Sequence, residues 1–205
     1  MKACRARWLA TALSGALVAA CGHVPVTSMY ALRNFDPATT DLARFRTAVS
    51  LPAGLLPSPD GVRLVVTVER AAGAPPVGEE LLLEASLDPR ETAELARQVA
   101  PGSKAHVFRL AAKDVERFAR LREEIKRARE SGTGRGSLSV SAAACRLTAQ
   151  MPASVPVTTY IKSAETEGFV PLVVGYDILA EAATRQAAVL PVCPNGAPGG
   201  ARSAP

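Results

Sequence analysis

Residues 8–20 (WLATALSGALVAA) form a thirteen-residue stretch without a charge, placed directly after three basic residues, Lys2, Arg5 and Arg7. This stretch decides which part of the chain is free to fold. It is too short to cross a bilayer as a permanent helix, which needs about 20 apolar residues. A basic start, an apolar run and a small-residue end are instead the parts of a secretory signal. The folded part must then come from the residues beyond it. A chain of 205 residues and 21.4 kDa leaves room for one domain with a real core, not for a (β/α)8 barrel with additions. No acidic residue precedes Asp36, so +3 of the formal +5 charge belongs to the first seven residues, and the pI of about 9.3 is mostly theirs. Apolar content of 48% with 21% charged residues excludes wholesale disorder. Aromatic content of 4% argues against a stacking platform for nucleic acid.

The small residues run straight into a cysteine: Leu17, Val18, Ala19, Ala20, Cys21, Gly22. This run resembles the lipobox of bacterial lipoprotein precursors, over about the first 22 residues of the chain. Small side chains at Ala19 and Ala20 suit an extended backbone in a narrow protease site. The Cys21 thiol is the soft nucleophile that takes a thioether-linked diacylglycerol. The resemblance implies cleavage between Ala20 and Cys21, acylation at Cys21, and a membrane partner reached through that lipid; two or three acyl chains anchor stably where one is marginal. Gly22 stands where an Asp would favour the inner membrane, which points to the outer membrane and a periplasmic face. A plain signal peptide, with Cys21 an ordinary thiol, is the alternative reading of the same residues, and an uncleaved anchor is a third. No Arg-Arg pair supports twin-arginine export.

There are four cysteines, Cys4, Cys21, Cys145 and Cys193. Under the lipoprotein resemblance the signal removes Cys4 and the lipid occupies Cys21. Cys145 and Cys193 are then the one intramolecular pair in an oxidising compartment. A buried free thiol is the alternative for Cys145. No C-x-x-C motif supports a redox role.

Along the rest of the chain, residues 21–28 read as a lipidated tether, 29–193 as a single periplasmic domain and 194–205 (PNGAPGGARSAP) as a disordered tail. Alternation suggests strands over 29–35, 46–51, 61–70, 79–86, 106–110 and 137–146, and a hairpin of 158–163 with 169–177. A turn is expected over 39–45, loops over the Pro- and Gly-containing 52–61 and 71–78, and short helices over 88–99 and 178–189. In 113–130, Val115, Phe118, Leu121, Ile125 and Ala128 recur every three or four residues, as in an amphipathic helix. Pairs Glu116–Arg120 and Glu123–Arg127 fall at i,i+4 on its polar face. The expected fold is α+β: mainly antiparallel sheet or sandwich, about seven or eight short strands, with one long amphipathic helix packed on it.

Chemistry is harder to find. Gly132, Gly134 and Gly136 follow a helix and open a strand, the reverse of a phosphate-binding loop. His106 is the main candidate base and would need a nucleophile such as Ser103 or Ser139 with an orienting acid. His23 falls beside the proposed lipid. Glu165 and Glu167 near Asp177 are a candidate acid pair, but read as a solvated hairpin tip. With two histidines and the cysteines accounted for, a zinc site lacks ligands, and no cofactor is expected. Seven basic and five acidic groups over 113–130 make a mixed, solvated face. The expectation is a lipoprotein without catalytic activity that binds or scaffolds an unidentified envelope protein. A periplasmic small-ligand or lipid-binding module is the first alternative, and a hydrolase using His106 the second.

Overall fold

The computed structural model describes residues 24–69, 76–130, 132, 136–180 and 190–194. Seven strands form one antiparallel sheet: β1 (Arg46–Pro52), β2 (Leu55–Val68), β3 (Val77–Ala85), β4 (Ser103–Leu110), β5 (Gly136–Arg146), β6 (Pro156–Lys162) and β7 (Val170–Asp177). Their order across the sheet is β5-β2-β3-β4-β1-β6-β7. Among the described residues the α-helices that accompany it in full are α1 (Val26–Ala31), α2 (Pro89–Leu95) and α3 (Val115–Glu130). The fold is therefore α+β on a single curled sheet rather than a two-sheet sandwich.

Alternation along the strands sorts side chains between two apolar layers. Val49 and Leu51 of β1, Val62, Leu64, Val66 and Val68 of β2, and Phe108 and Leu110 of β4 face the main core. Phe118, Leu121 and Ile125 of α3 pack into the same cluster. The opposite face carries a smaller cluster of Ala48, Leu95, Val107, Tyr160 and Phe169, which lies under α2. The start of α2 follows from its sequence. The Asp88 carboxylate accepts from the Arg90 amide at 3.0 Å, and Pro89 occupies the first turn, where its missing N–H costs nothing.

Three expectations are corrected. Residues expected as a first strand from Met29 to Phe35 instead contain the end of α1 and turns. The helix starts at Val26, within the stretch expected to be tether. Residues 52–61 are not a loop. Only Ala53 and Gly54 turn, with Gly54 at φ +92°, and β2 begins at Leu55. Pro57 and Pro59 are tolerated because β2 loses register against β5 between Pro57 and Val62, so a missing donor leaves no broken ladder. Asp60 at φ 52° completes that bulge.

The helix over 113–130 also differs in detail. A 3-10 turn, Ala112–Asp114, precedes α3, so Val115 lies 41% exposed while Asp114 is buried. Glu123 pairs with Lys126 at 2.8 Å, an i,i+3 contact, rather than with Arg127, whose guanidinium reaches Glu124. Arg122 donates to the Ala38 and Thr40 carbonyls, and Arg129 pairs with Asp36 at 2.7 Å, so α3 holds the segment before β1.

Candidate functional site

The sheet parts between β2 and β4, beyond the end of β3. β3 pairs with β2 only from Arg63 onward, and with β4 only over Leu83–Ala85, with two further bonds, from the Ser86 N–H to the Val107 carbonyl and from the Ala111 N–H to the Leu82 carbonyl. Past the end of β3, the first leg of β2 and the lower half of β4 flank a cleft of about 450 Å³. Its wall runs from Leu56 to Val62 through the bulge, and returns along Ala105 to Phe108. Bulges commonly re-aim side chains or end pairing in this way.

His106 is the distinctive group here. It shares a strand face with Phe108 and Leu110, both in the main core, and stands opposite Val49 of β1. Its Nε2 is buried and has no hydrogen-bond partner among the described residues. Burial, with the positive charge of Lys104 adding to it, holds the imidazole below its usual pKa, so the ring is neutral near pH 7. A neutral imidazole with a free buried nitrogen can give or take one hydrogen bond with a guest. Among the described residues the His106 Nε2 meets neither a serine nor a carboxylate; Ser103 falls on the other face of β4, and Ser139 lies on β5 opposite Val65 of β2. Ser86, also at the cleft, is engaged, donating to Glu91 at 2.5 Å, while Glu91 accepts from Arg46 at 2.7 Å.

The other candidates are not brought together. Glu165 and Glu167 are both exposed on the β6–β7 turn, as a solvated tip requires, and the Glu165 carboxylate also accepts from the Thr40 hydroxyl at 2.9 Å, which ties the turn to the segment before β1. Asp177 stands at the far end of β7, where it accepts from Ser154, the Val155 amide and the Leu179 amide. The backbone bonds from Val155, then the Ser154 hydroxyl, hold its carboxyl below the usual range. Of the glycine-containing connection, Gly132 and Gly136 are described; residues 133–135 lie outside. Ala20, Cys21 and His23 also lie outside the described residues, as does the tail beyond 194; of the helix expected over 178–189, residues 178–180 are helical and 181–189 lie outside.

Cys145 and Cys193 are joined by a disulfide, with Cα atoms 5.0 Å apart at a sequence separation of 48. Beside it, residues 190–193 lie against the end of β5. The Arg146 amide donates to the Pro191 carbonyl, the Cys193 amide donates to the Arg146 carbonyl, and the Arg146 side chain reaches the Leu190 carbonyl.

Two features escape a reading of the sequence. One is the bulge that opens the His106 cleft; Pro57, Pro59 and Asp60 signal irregular backbone, but not that a strand runs through them. The other is α1. Ser28 of this helix is buried, with Ala31 and Leu32 packed on the core, while Val26, Met29 and Tyr30 face outward at 80%, 67% and 69% exposure. Pro25 as helix start, followed by apolar residues at i, i+3 and i+4, was the available signal. Next to α1, Val24 lines an apolar cleft of about 360 Å³ between Val140 and Ala142 of β5 and Val157 and Val173 of the β6–β7 pair. Curling of the sheet brings its two ends to this cleft.

Among the described residues no helix is long and apolar enough to cross a membrane, and no three metal-ligating side chains cluster. The chain matches no family model, no curated protein and no solved structure.

Proposed function

We propose that this chain is a bacterial envelope lipoprotein. It is cut between Ala20 and Cys21, held to the periplasmic face of the outer membrane by lipid on Cys21, and works by binding or scaffolding an envelope protein rather than by catalysis. The observation that carries this reading is the Cys145–Cys193 disulfide. A bacterial chain with an oxidised pair is at home outside the cytosol, where the lipobox-type run would send it. In this reading α3 serves as the amphipathic helix on the sheet, its apolar stripe inward and its mixed charges in solvent. Lipid anchoring raises the effective concentration of the domain beside membrane partners without any new contact.

The test is expression of the full precursor in a bacterium, with intact mass and membrane fractionation. The expected mature species starts at Cys21, carries diacylglycerol and acyl chains, has no alkylatable thiol, and sediments with outer membrane. The Cys21→Ser form is expected to leave the membrane fraction. Residue 21 free of lipid in the wild-type protein would overturn the reading.

A second reading, a module that takes a small ligand, has its own support in the His106 cleft, whose volume suits a small molecule and whose buried nitrogen lacks a partner among the described residues. Its test is imidazole proton NMR of His106 during exposure to periplasmic extract; a ligand of the cleft is expected to shift that resonance and leave His23 unmoved.

A further inference from the structure

We propose that the outward face of α1 rests in the headgroup layer of the bilayer to which Cys21 is anchored, with Val26, Met29 and Tyr30 inserted and Arg33 on lipid phosphate. This rests on the lipoprotein reading and adds an orientation to it: the domain sits on the membrane by one defined foot.

α1 buries a polar side chain while leaving three apolar ones exposed. Its inward stripe is Ser28, Ala31 and Leu32, with the Ser28 hydroxyl buried and unpartnered among the described residues. Its outward stripe is Val26, Met29 and Tyr30, apolar groups at i, i+3 and i+4. Scattered exposed apolar residues are ordinary, but a buried polar group combined with an apolar patch is informative. Water gives no reason for this arrangement. A lipid surface does, because it rewards the outward side chains.

The occupant follows from chain length. Val26 is five residues after Cys21, which sets a reach of about 17 Å even when fully extended. Whatever holds Cys21 to lipid therefore holds α1 at the interface, and no other described helix is nearer in sequence. The charges agree. No acidic residue occurs from 21 to 35, and the first one, Asp36, is engaged by Arg129. The Arg33 guanidinium lies 3.9 Å from the centroid of the Tyr30 ring, and donates to the Tyr30 carbonyl. An aromatic ring capped by a cation suits the boundary between acyl chains and phosphates.

The chain has one tryptophan, Trp8, which lies before the proposed cleavage point. A mature Tyr30→Trp variant thus reports from α1 alone. Leu87→Trp, at a position 93% exposed just before α2 on the other face of the sheet, is the control. Both would be produced as full precursors, purified in lipidated form and reconstituted in vesicles of phosphatidylethanolamine and phosphatidylglycerol. For Tyr30→Trp the expected result is emission shifted to the blue and about twofold quenching by phospholipids brominated near the glycerol end of the acyl chain, since such helices sit at that depth. Leu87→Trp is expected to show neither. If both proteins float with the vesicles and the Tyr30→Trp emission matches that of Leu87→Trp, the foot is overturned while the anchor stands. If neither floats, the lipoprotein reading fails and the foot with it.

Discussion

Asp114 joins two elements through one buried carboxylate. One oxygen accepts from the Leu82 amide of β3 at 2.7 Å, the other from Arg117 of α3 at 2.7 Å. Burial works against its charged form, but the Leu82 and Arg117 bonds outweigh it and hold the carboxyl below the usual range. The folded pKa is thus depressed. The stability Asp114 contributes is complete above the unfolded value of about 4 and is lost as pH falls through the folded value. Replacing Asp114 by Ala is expected to cost about 1.5–3 kcal/mol at pH 7, read as a lower urea midpoint with unchanged slope, and less when both proteins are compared near pH 3. His106 has the same sign at higher pH. Its folded pKa lies below the unfolded value of about 6.5, so its contribution is present above that value and fades as pH falls through the folded one. The wild-type urea midpoint is expected to drop between pH 7 and pH 5, and His106→Gln to flatten that drop.

At the scale of elements, legibility tracked whether local pattern and tertiary environment agreed. β2 beyond Val62 alternates strictly and was legible, because alternate residues meet a core on one side. β4 and the β6–β7 pair were legible as strands from their β-branched and apolar content, though their burial does not alternate cleanly. Residues 29–35 misled, since their outward apolar stripe mimics alternation once Ser28 is left out of view. Residues 52–61 misled because proline usually means no strand, while here a bulge absorbs both prolines. Gly61 makes that bulge possible. A Cβ there would stand 2.9 Å from the Ser58 Cβ and 3.0 Å from the Ala143 Cβ, with the Ser58 carbonyl also at 3.0 Å. Gly61→Ala is therefore expected to destabilise by about 1–3 kcal/mol, since backbone must move to admit the methyl. Thermal unfolding of the variant beside Gly78→Ala, where the nearest atom is 3.7 Å away, checks this. Of the candidate site, His106 was legible as a residue but its cleft was not, because the gap arises from where β3 ends rather than from any motif.

For the whole molecule, the disulfide is the main covalent constraint on the C-terminal part. Closing 48 positions stabilises by about 4 kcal/mol in the chain-entropy model. A Cys145→Ser, Cys193→Ser double variant is expected to lose an amount of that order in urea unfolding, and to expose the Arg146 amide to faster hydrogen exchange as residues 190–193 detach. The strand order has a different consequence. β1, among the first strands in the chain, lies between β4 and β6, and β6 begins only at Pro156. Its second edge stays vacant until three quarters of the polypeptide has been synthesised. If the chain is exported as proposed, such a polypeptide would reach a translocation pore still unknotted and threadable, and would gain its final shape on the far side.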